Sequence, residues 1–134
     1  MFDRILVPMA LDHGVSGETL AAAQKLLNPG GEITALHVFE VSRGLARAYL
    51  GEEVMQKGFE RAAEVLKEKT EGLDGVKAVI RQGHAYRTIS DYAAENDIGC
   101  IVIASHKPDF SDYLLGSTAA KVVRHATCAV FVHR

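Results

Sequence analysis

Cysteine is scarce in this 134-residue chain: Cys100 and Cys128 are the only two, too few for a disulfide framework and too far apart for a CxxC redox pair or a zinc site. Both read as buried strand hydrophobes that stay reduced. The six histidines, at positions 13, 37, 84, 106, 125 and 133, never fall at HExxH spacing, and no carboxylates gather near them, which argues against a protein-held catalytic metal. Charge of one sign is lacking too. Fifteen Lys+Arg against seventeen Asp+Glu leave a formal net charge of −2, so no basic field exists to hold a phosphate backbone, and a nucleic-acid partner is not expected. No run approaches the ~18 apolar residues of a membrane span, and the opening MFDRILVPMALD lacks the basic-then-apolar layout of a secretory signal. A soluble, cytoplasmic protein without a membrane partner is the expectation. There is no low-complexity segment, no repeat at a period of 20 to 50 residues and no Pro/Gly/Ser linker between halves, which predicts one domain over residues 1–134.

What is present is an alternation of short Ile/Val-rich runs with segments of helical period, the pattern of doubly buried parallel strands joined by crossover helices. The runs are Ile5 to Pro8, Glu32 to Val41, Val76 to Gln82, Cys100 to Ala104 and Cys128 to His133. Leu20, Ala23 and Leu27 mark a first helix that stops before Asn28-Pro29-Gly30-Gly31. Leu50, Val54, Met55, Phe59, Ala62, Val65, Leu66 and Leu73 advance by threes and fours along a long second helix, which Gly72 and Gly75 help to end. A third helix runs from about Ala85 to Asn96, and a fourth opens at Ser117 with Ala119, Val122, Val123 and Ala126. Five parallel strands with right-handed crossovers predict an α/β fold, an open doubly wound parallel sheet in the order 3-2-1-4-5 with helices on both faces. The winding then reverses between strands 1 and 4. Ligand chemistry is expected at their carboxyl ends, Pro8 to Asp12 and Ser105 to Ser117.

The segment after the fourth strand, Ala104 to His125, is longer than the usual strand-to-helix connection of about 2 to 6 residues. It ends in Gly116-Ser117-Thr118 at the mouth of the fourth helix, where unpaired N–H groups, the positive end of the helix dipole and two hydroxyls converge. That chemistry suits a phosphate. An isolated Gly-Ser-Thr is also read more simply, with Ser117 as a helix cap and Gly116 permitting a tight turn.

IVIASHKPDFSDYLLGSTAAKVVRHATCAVFVHR resembles the C-terminal signature of the universal stress proteins, and the resemblance runs through FDRILVPMALD, ITALHV and Gly83. It implies a Rossmann-like fold of the adenine nucleotide alpha hydrolase type. The family's nucleotide loop follows G-x2-G-x9-G-[ST]. Here Ala104 and Lys107 stand at the first two glycines, and eight residues separate Lys107 from Gly116, while Gly116-Ser117 fits; a branch with an ASHxPD…YLLGS loop carries this form. A loop working through main-chain N–H groups tolerates the changes, since Ala104, Ser105, His106 and Lys107 all keep theirs. By the resemblance, Pro8, Met9, Ala10 and Val38 line the adenine and ribose slot, and His106 faces the nucleotide with Lys107 near its phosphates. Ala10 stands where the family often carries an aspartate, and Asp12, two residues later, is the candidate substitute.

The resemblance therefore implies an adenine-nucleotide-binding protein (ATP, or AMP or ADP, with Mg²⁺) in a sensing or regulatory role in the stress response. No Walker A motif, GxGxxG or carboxylate pair at metal spacing is present, so a binding module is expected rather than an enzyme. One alternative is a slow ATP hydrolase or autophosphorylating protein using Ser117, Thr118 or His106. Another is a nucleotide-free dimeric scaffold that recruits a protein partner. The fifth strand lies at a sheet edge in the proposed order, its Ala129, Val130, Phe131 and Val132 are uncharged, and the sequence stops at Arg134 without an element to cover it. Pairing with the same strand of a second copy, giving a homodimer, is the expectation.

Overall fold

A computed structural model of the chain describes residues 1–11, 15–40, 45–105 and 115–134; the side chains of residues 15, 16 and 45–50 are not described. The elements alternate as β1 (Phe2–Pro8), α1 (Val15–Leu26), β2 (Leu27–Phe39), α2 (Leu45–Thr70), β3 (Val76–Gln82), α3 (Ala85–Glu95), β4 (Cys100–Ala104), α4 (Ser117–His125) and β5 (Ala129–His133). The strands form one five-stranded sheet in the order β3-β2-β1-β4-β5, and every pairing is parallel. Because side chains alternate across a strand, the central strands feed two cores. Ile5, Val7, Ile33, Ala35, Cys100 and Val102 pack with Leu20 and Ala23 of α1 and Leu66 of α2. Leu6, Leu36, Ile101 and Ile103 pack on the opposite face with Ile89, Tyr92 and Ala93 of α3 and Ala119 and Val122 of α4. Two helices cover each face, as the doubly wound reading requires.

The observed elements depart from the sequence reading in ways that have local causes. Asn28-Pro29-Gly30-Gly31 does not separate α1 from β2; it lies inside β2, which starts directly after the helix at Leu27. Between Phe2↔Leu27 and Arg4↔Glu32, β1 advances two residues while β2 advances five, so the Pro/Gly tetrapeptide is accommodated as an irregularity in the ladder. Gly30 takes a positive φ of 80°. A Cβ on Gly31 would sit 2.8 Å from the Asp3 carbonyl oxygen, so close backbone approach demands glycine there. The Met1 ammonium and the Asn28 side chain tie the bulge down, through bonds to the Leu26 carbonyl, the Asn28 Oδ1 and the Asp3 carboxylate. The long helix α2 is interrupted at Gly51, whose φ of 74° and ψ of 163° are not helical, and Val54 is exposed rather than core-facing. Gly72 and Gly75, both at positive φ, end it as expected. In α4, Val123 faces solvent while Ala119 and Val122 are buried.

Cys100 is buried, but Cys128 is only partly so and precedes β5 instead of opening it. Burial pushes both thiols up from their ordinary pKa. The two side chains join cores on opposite faces of the sheet, which prevents a disulfide between them. At the sheet edge, Val130 and Val132 pack into the α3–α4 core, and Phe131 is left 41% exposed. The uncharged edge surface is therefore carried by Ala129, Phe131 and the strand backbone. Among the described residues, no helix is long and apolar enough to cross a membrane.

Candidate functional site

The switch point opens where β1 meets β4, and a proline shapes it. Successive N–H groups of a strand point to opposite neighbours. The Met9 N–H reaches the Leu36 carbonyl on β2 at 2.8 Å, so position 8 addresses β4. Pro8 offers no donor there. Pairing of β1 with β4 is limited to Ile5↔Cys100 and Leu6↔Ile101, although the strands continue to Pro8 and Ala104. The two strands thus part toward their carboxyl ends, the place where doubly wound sheets generally open a ligand crevice.

The far wall is built by Ser105, which is buried. Its N–H donates to the His133 carbonyl at 2.9 Å, and its carbonyl accepts from the Gly116 N–H. This pair of bonds fastens the exit of β4 to the end of β5 on one side and to the head of α4 on the other. Gly116 is the N-cap of α4, with φ −57° and ψ 151° and no side-chain cap hydrogen bond. Ser117 is the first helical residue rather than the cap, and Gly116 adopts a backbone conformation open to any residue. The simpler reading of the Gly-Ser-Thr motif is thus not what the fold shows. The Gly116 carbonyl accepts from Ala120 N–H as the first helical bond, so the N–H groups of Ser117, Thr118 and Ala119 have no intrahelical partner. Ser117 and Thr118 are exposed. No acidic residue stands in the first turn, and Arg124 and His125 occupy the last, so the helix dipole at this mouth is unopposed from within the helix.

Of the residues singled out in the sequence, the fold brings Pro8, Ala10, Ala104, Ser105, Gly116, Ser117 and Thr118 to the carboxyl ends of β1 and β4. Met9 and Val38 do not share a surface. The Met9 side chain is buried in the α1–α2 core and borders a cavity of about 360 Å³ with Leu20 and Leu73, whereas Val38 packs against the α3–α4 core. Two side chains on opposite faces cannot cover one purine plane. Val38 stands on the face that carries α4, and both backbone groups of Met9 are engaged by β2. Asp12, His106 and Lys107 lie outside the described residues.

The sequence reading assigned nothing to His37. Its Nδ1 lies 2.7 Å from the Met9 carbonyl oxygen. A carbonyl only accepts, so the ring nitrogen donates. The available signal was a histidine inside the otherwise apolar run ITALHVF.

A five-stranded parallel sheet in the order β3-β2-β1-β4-β5, with two helices on each face, puts the chain in the class of doubly wound α/β proteins. Within that class, the model of the universal stress protein family matches residues 1–134, and the chain belongs to that family. Universal stress protein G of Salmonella typhimurium is 28% identical over 142 residues, with both chains fully covered. A universal stress protein of Methanothermobacter thermautotrophicus is 29% identical over 143 residues, covering 100% of this chain and 97% of the relative. Among solved structures, universal stress protein UspA from Lactobacillus plantarum superposes with a TM-score of 0.79 at 24% identity, over 98% of this chain and 97% of that one. Two more distant structures share the fold: a universal stress protein in complex with cAMP (TM-score 0.63, 15% identity, 99% and 97% covered) and one from Archaeoglobus fulgidus in complex with dAMP (0.62, 17%, 98% and 97%).

Proposed function

We propose that this universal stress protein binds an adenine nucleotide, ATP or its AMP and ADP relatives, and serves a sensing or regulatory role in the stress response. The observation that carries this reading is the Ser105–Gly116 bond, which places the uncapped mouth of α4 beside the end of β4, next to the crevice that Pro8 leaves open. The nucleotide phosphates meet the N–H groups and hydroxyls of Ser117 and Thr118 at the positive end of the helix dipole. The base and ribose extend toward Pro8, Ala10 and Val38. Two proteins of this fold captured with cAMP and dAMP support the ligand class. Among the described residues, no group of three His, Cys, Asp or Glu side chains is gathered to hold a metal ion. Mg²⁺, where it accompanies the nucleotide, is carried on the phosphates. Main-chain amides and hydroxyls hold an anion without activating water or a nucleophile, so the protein acts as a binding module and not by turnover. The exposed Phe131 edge of β5 pairs with the same strand of a second copy, giving a homodimer.

Mass spectrometry of the ligand released from freshly purified protein, followed by calorimetric titration with AMP, ADP and ATP, tests the reading. Release of an adenine nucleotide and saturable binding are expected. Protein that neither carries nor binds any of them would leave the scaffold role as the better account, and an ATP turnover that falls in Ser117→Ala would favour the hydrolase.

A further inference from the structure

We propose that the outer surface shared by the N-terminal turn of α3 and the C-terminal half of α4 is a docking site for an acidic peptide segment of a partner protein. Its centre is Tyr86, on which basic side chains from both helices converge. The Lys121 Nζ lies 5.3 Å and the Arg87 guanidinium carbon 5.8 Å from the ring centroid. His125 stacks on the ring at 5.2 Å with an interplanar angle of 27°, and His84 meets it edge-on at 4.9 Å. The Arg87 Nε–H also donates to the Tyr86 hydroxyl at 3.2 Å, and Arg124 precedes His125 on α4. Tyr86 is half-buried, whereas all five basic residues are exposed.

Helix dipoles account for only part of this arrangement. Arg124 and His125 stand in the last turn of α4, where a cation complements the negative end of the dipole. Arg87 lies in the first turn of α3, which holds no acidic residue, so its charge is set against the positive end of that dipole. Bringing it beside Lys121 adds like-charge repulsion, which the negative face of the Tyr86 ring offsets. Among the described residues, no carboxylate stands within ion-pair distance of Arg87, Lys121 or Arg124. Of the nearby acids, Glu40 accepts from the Ala85 N–H at 2.8 Å, and Asp91, one turn beyond Arg87, reinforces its charge from outside that distance. The α4 sequence STAAKVVRH holds no acidic residue at all. The fold thus gathers positive charge on one surface of a chain whose net charge is −2 and leaves the counter-charge to come from outside. Carboxylates of an extended acidic segment supply it. A nucleic acid fits less well, because the Tyr86 ring is already stacked by His125 and approached by two cations, which takes up the platform a base would use.

These residues are not those at the strand ends of Pro8 and Ala104, and nucleotide plays no part in the test. Amide NMR titration of the full chain with a hexaglutamate peptide, at about 20 mM ionic strength where exposed charges act at long range, is expected to move the resonances of residues 84–87 and 121–125, and the shifts should shrink at about 0.5 M salt. Arg87→Gln/Lys121→Gln, confirmed folded by circular dichroism, is expected to bind the peptide roughly five- to tenfold more weakly, the scale of two exposed ion pairs. Lys121→Glu serves as a second variant and should also weaken binding. Lys57→Gln, which removes an exposed cation of α2, should bind like wild type. Hexaglutamate that moves none of these resonances overturns the proposal, as does an affinity unchanged in both the double variant and Lys121→Glu. An equal loss in Lys57→Gln would reduce the effect to overall charge and overturn it too. A hexathymidylate oligonucleotide that binds the same residues more tightly than hexaglutamate overturns it in favour of a nucleic-acid surface.

Discussion

Replacement of Gly116 by valine separates the phosphate site from the stability of the fold. At φ −57° and ψ 151° the residue occupies backbone space that valine adopts freely, so no backbone strain is introduced, and the N–H that bonds to the Ser105 carbonyl is kept. The cost to folding is the poorer N-cap preference of valine relative to glycine, about 0.5–1 kcal/mol. Unfolding entropy of roughly 2.1 cal/mol/K per residue gives roughly 0.28 kcal/mol/K over 134 residues, so the free protein should lose about 2–4 °C in Tm. For wild type, nucleotide at a hundred times its Kd adds about 2.7 kcal/mol, a rise of roughly 10 °C. Valine adds two methyl groups at the mouth where Ser117 and Thr118 present their amides, and the nucleotide-dependent rise should fall below about 2 °C if the phosphates approach there. Thermal unfolding followed by circular dichroism with and without AMP or ATP measures both quantities. A Gly116→Val protein whose nucleotide-dependent rise equals that of wild type would show that the phosphates sit elsewhere.

Sedimentation at micromolar concentration should give a dimer of about 29 kDa, twice the 14.5 kDa chain; Phe131→Lys should shift it toward monomer with little loss of protomer stability, and an equally tight mutant dimer would move the interface to another surface. Gly31→Ala should cost about 1–3 kcal/mol, because the added Cβ meets Leu27 Cδ1 at 2.7 Å and the carbonyls of Asp3 and Asn28 at 2.8 and 3.0 Å; a denaturation midpoint equal to wild type would refute the tight approach. Cys100 and Cys128 should label slowly with a thiol reagent in the folded protein and rapidly once unfolded, since burial raises both pKa values and keeps the thiolate scarce. The folded state then holds its thiol protons more tightly than the unfolded one, so this contribution to stability is complete below the ordinary thiol pKa of about 8.5 and is lost as pH rises through the higher folded values. Stability to urea that climbs between pH 8.5 and 10 would contradict it.

The sequence by itself determined the βαβ alternation, because a strand buried on both faces must be apolar throughout, as Cys100 to Ala104 shows, while a covering helix needs only one apolar stripe. Right-handed crossovers among five strands allow 2-1-3-4-5 as well as the expected 3-2-1-4-5, and the pairing of β1 with both β2 and β4 is what selects the latter. The Gly116-Ser117-Thr118 helix mouth was legible because its chemistry is local, made of orphan amides and adjacent hydroxyls. Tertiary structure decided what depends on neighbours distant in the chain. Asn28-Pro29-Gly30-Gly31 reads as a breaker, yet it is a bulge, since Asp3 and the Met1 ammonium supply partners that no local pattern announces. Val130 and Phe131 look equivalent in CAVFVH, and only the position of α4 above β5 makes one core and the other surface. Met9 and Val38 likewise part to opposite faces once the register of β1 with β2 is set. His37 meets the Met9 carbonyl solely through that register, which brings a ring nitrogen of β2 to a carbonyl 28 residues earlier in the chain, a contact that parallel pairing creates and sequence spacing does not encode.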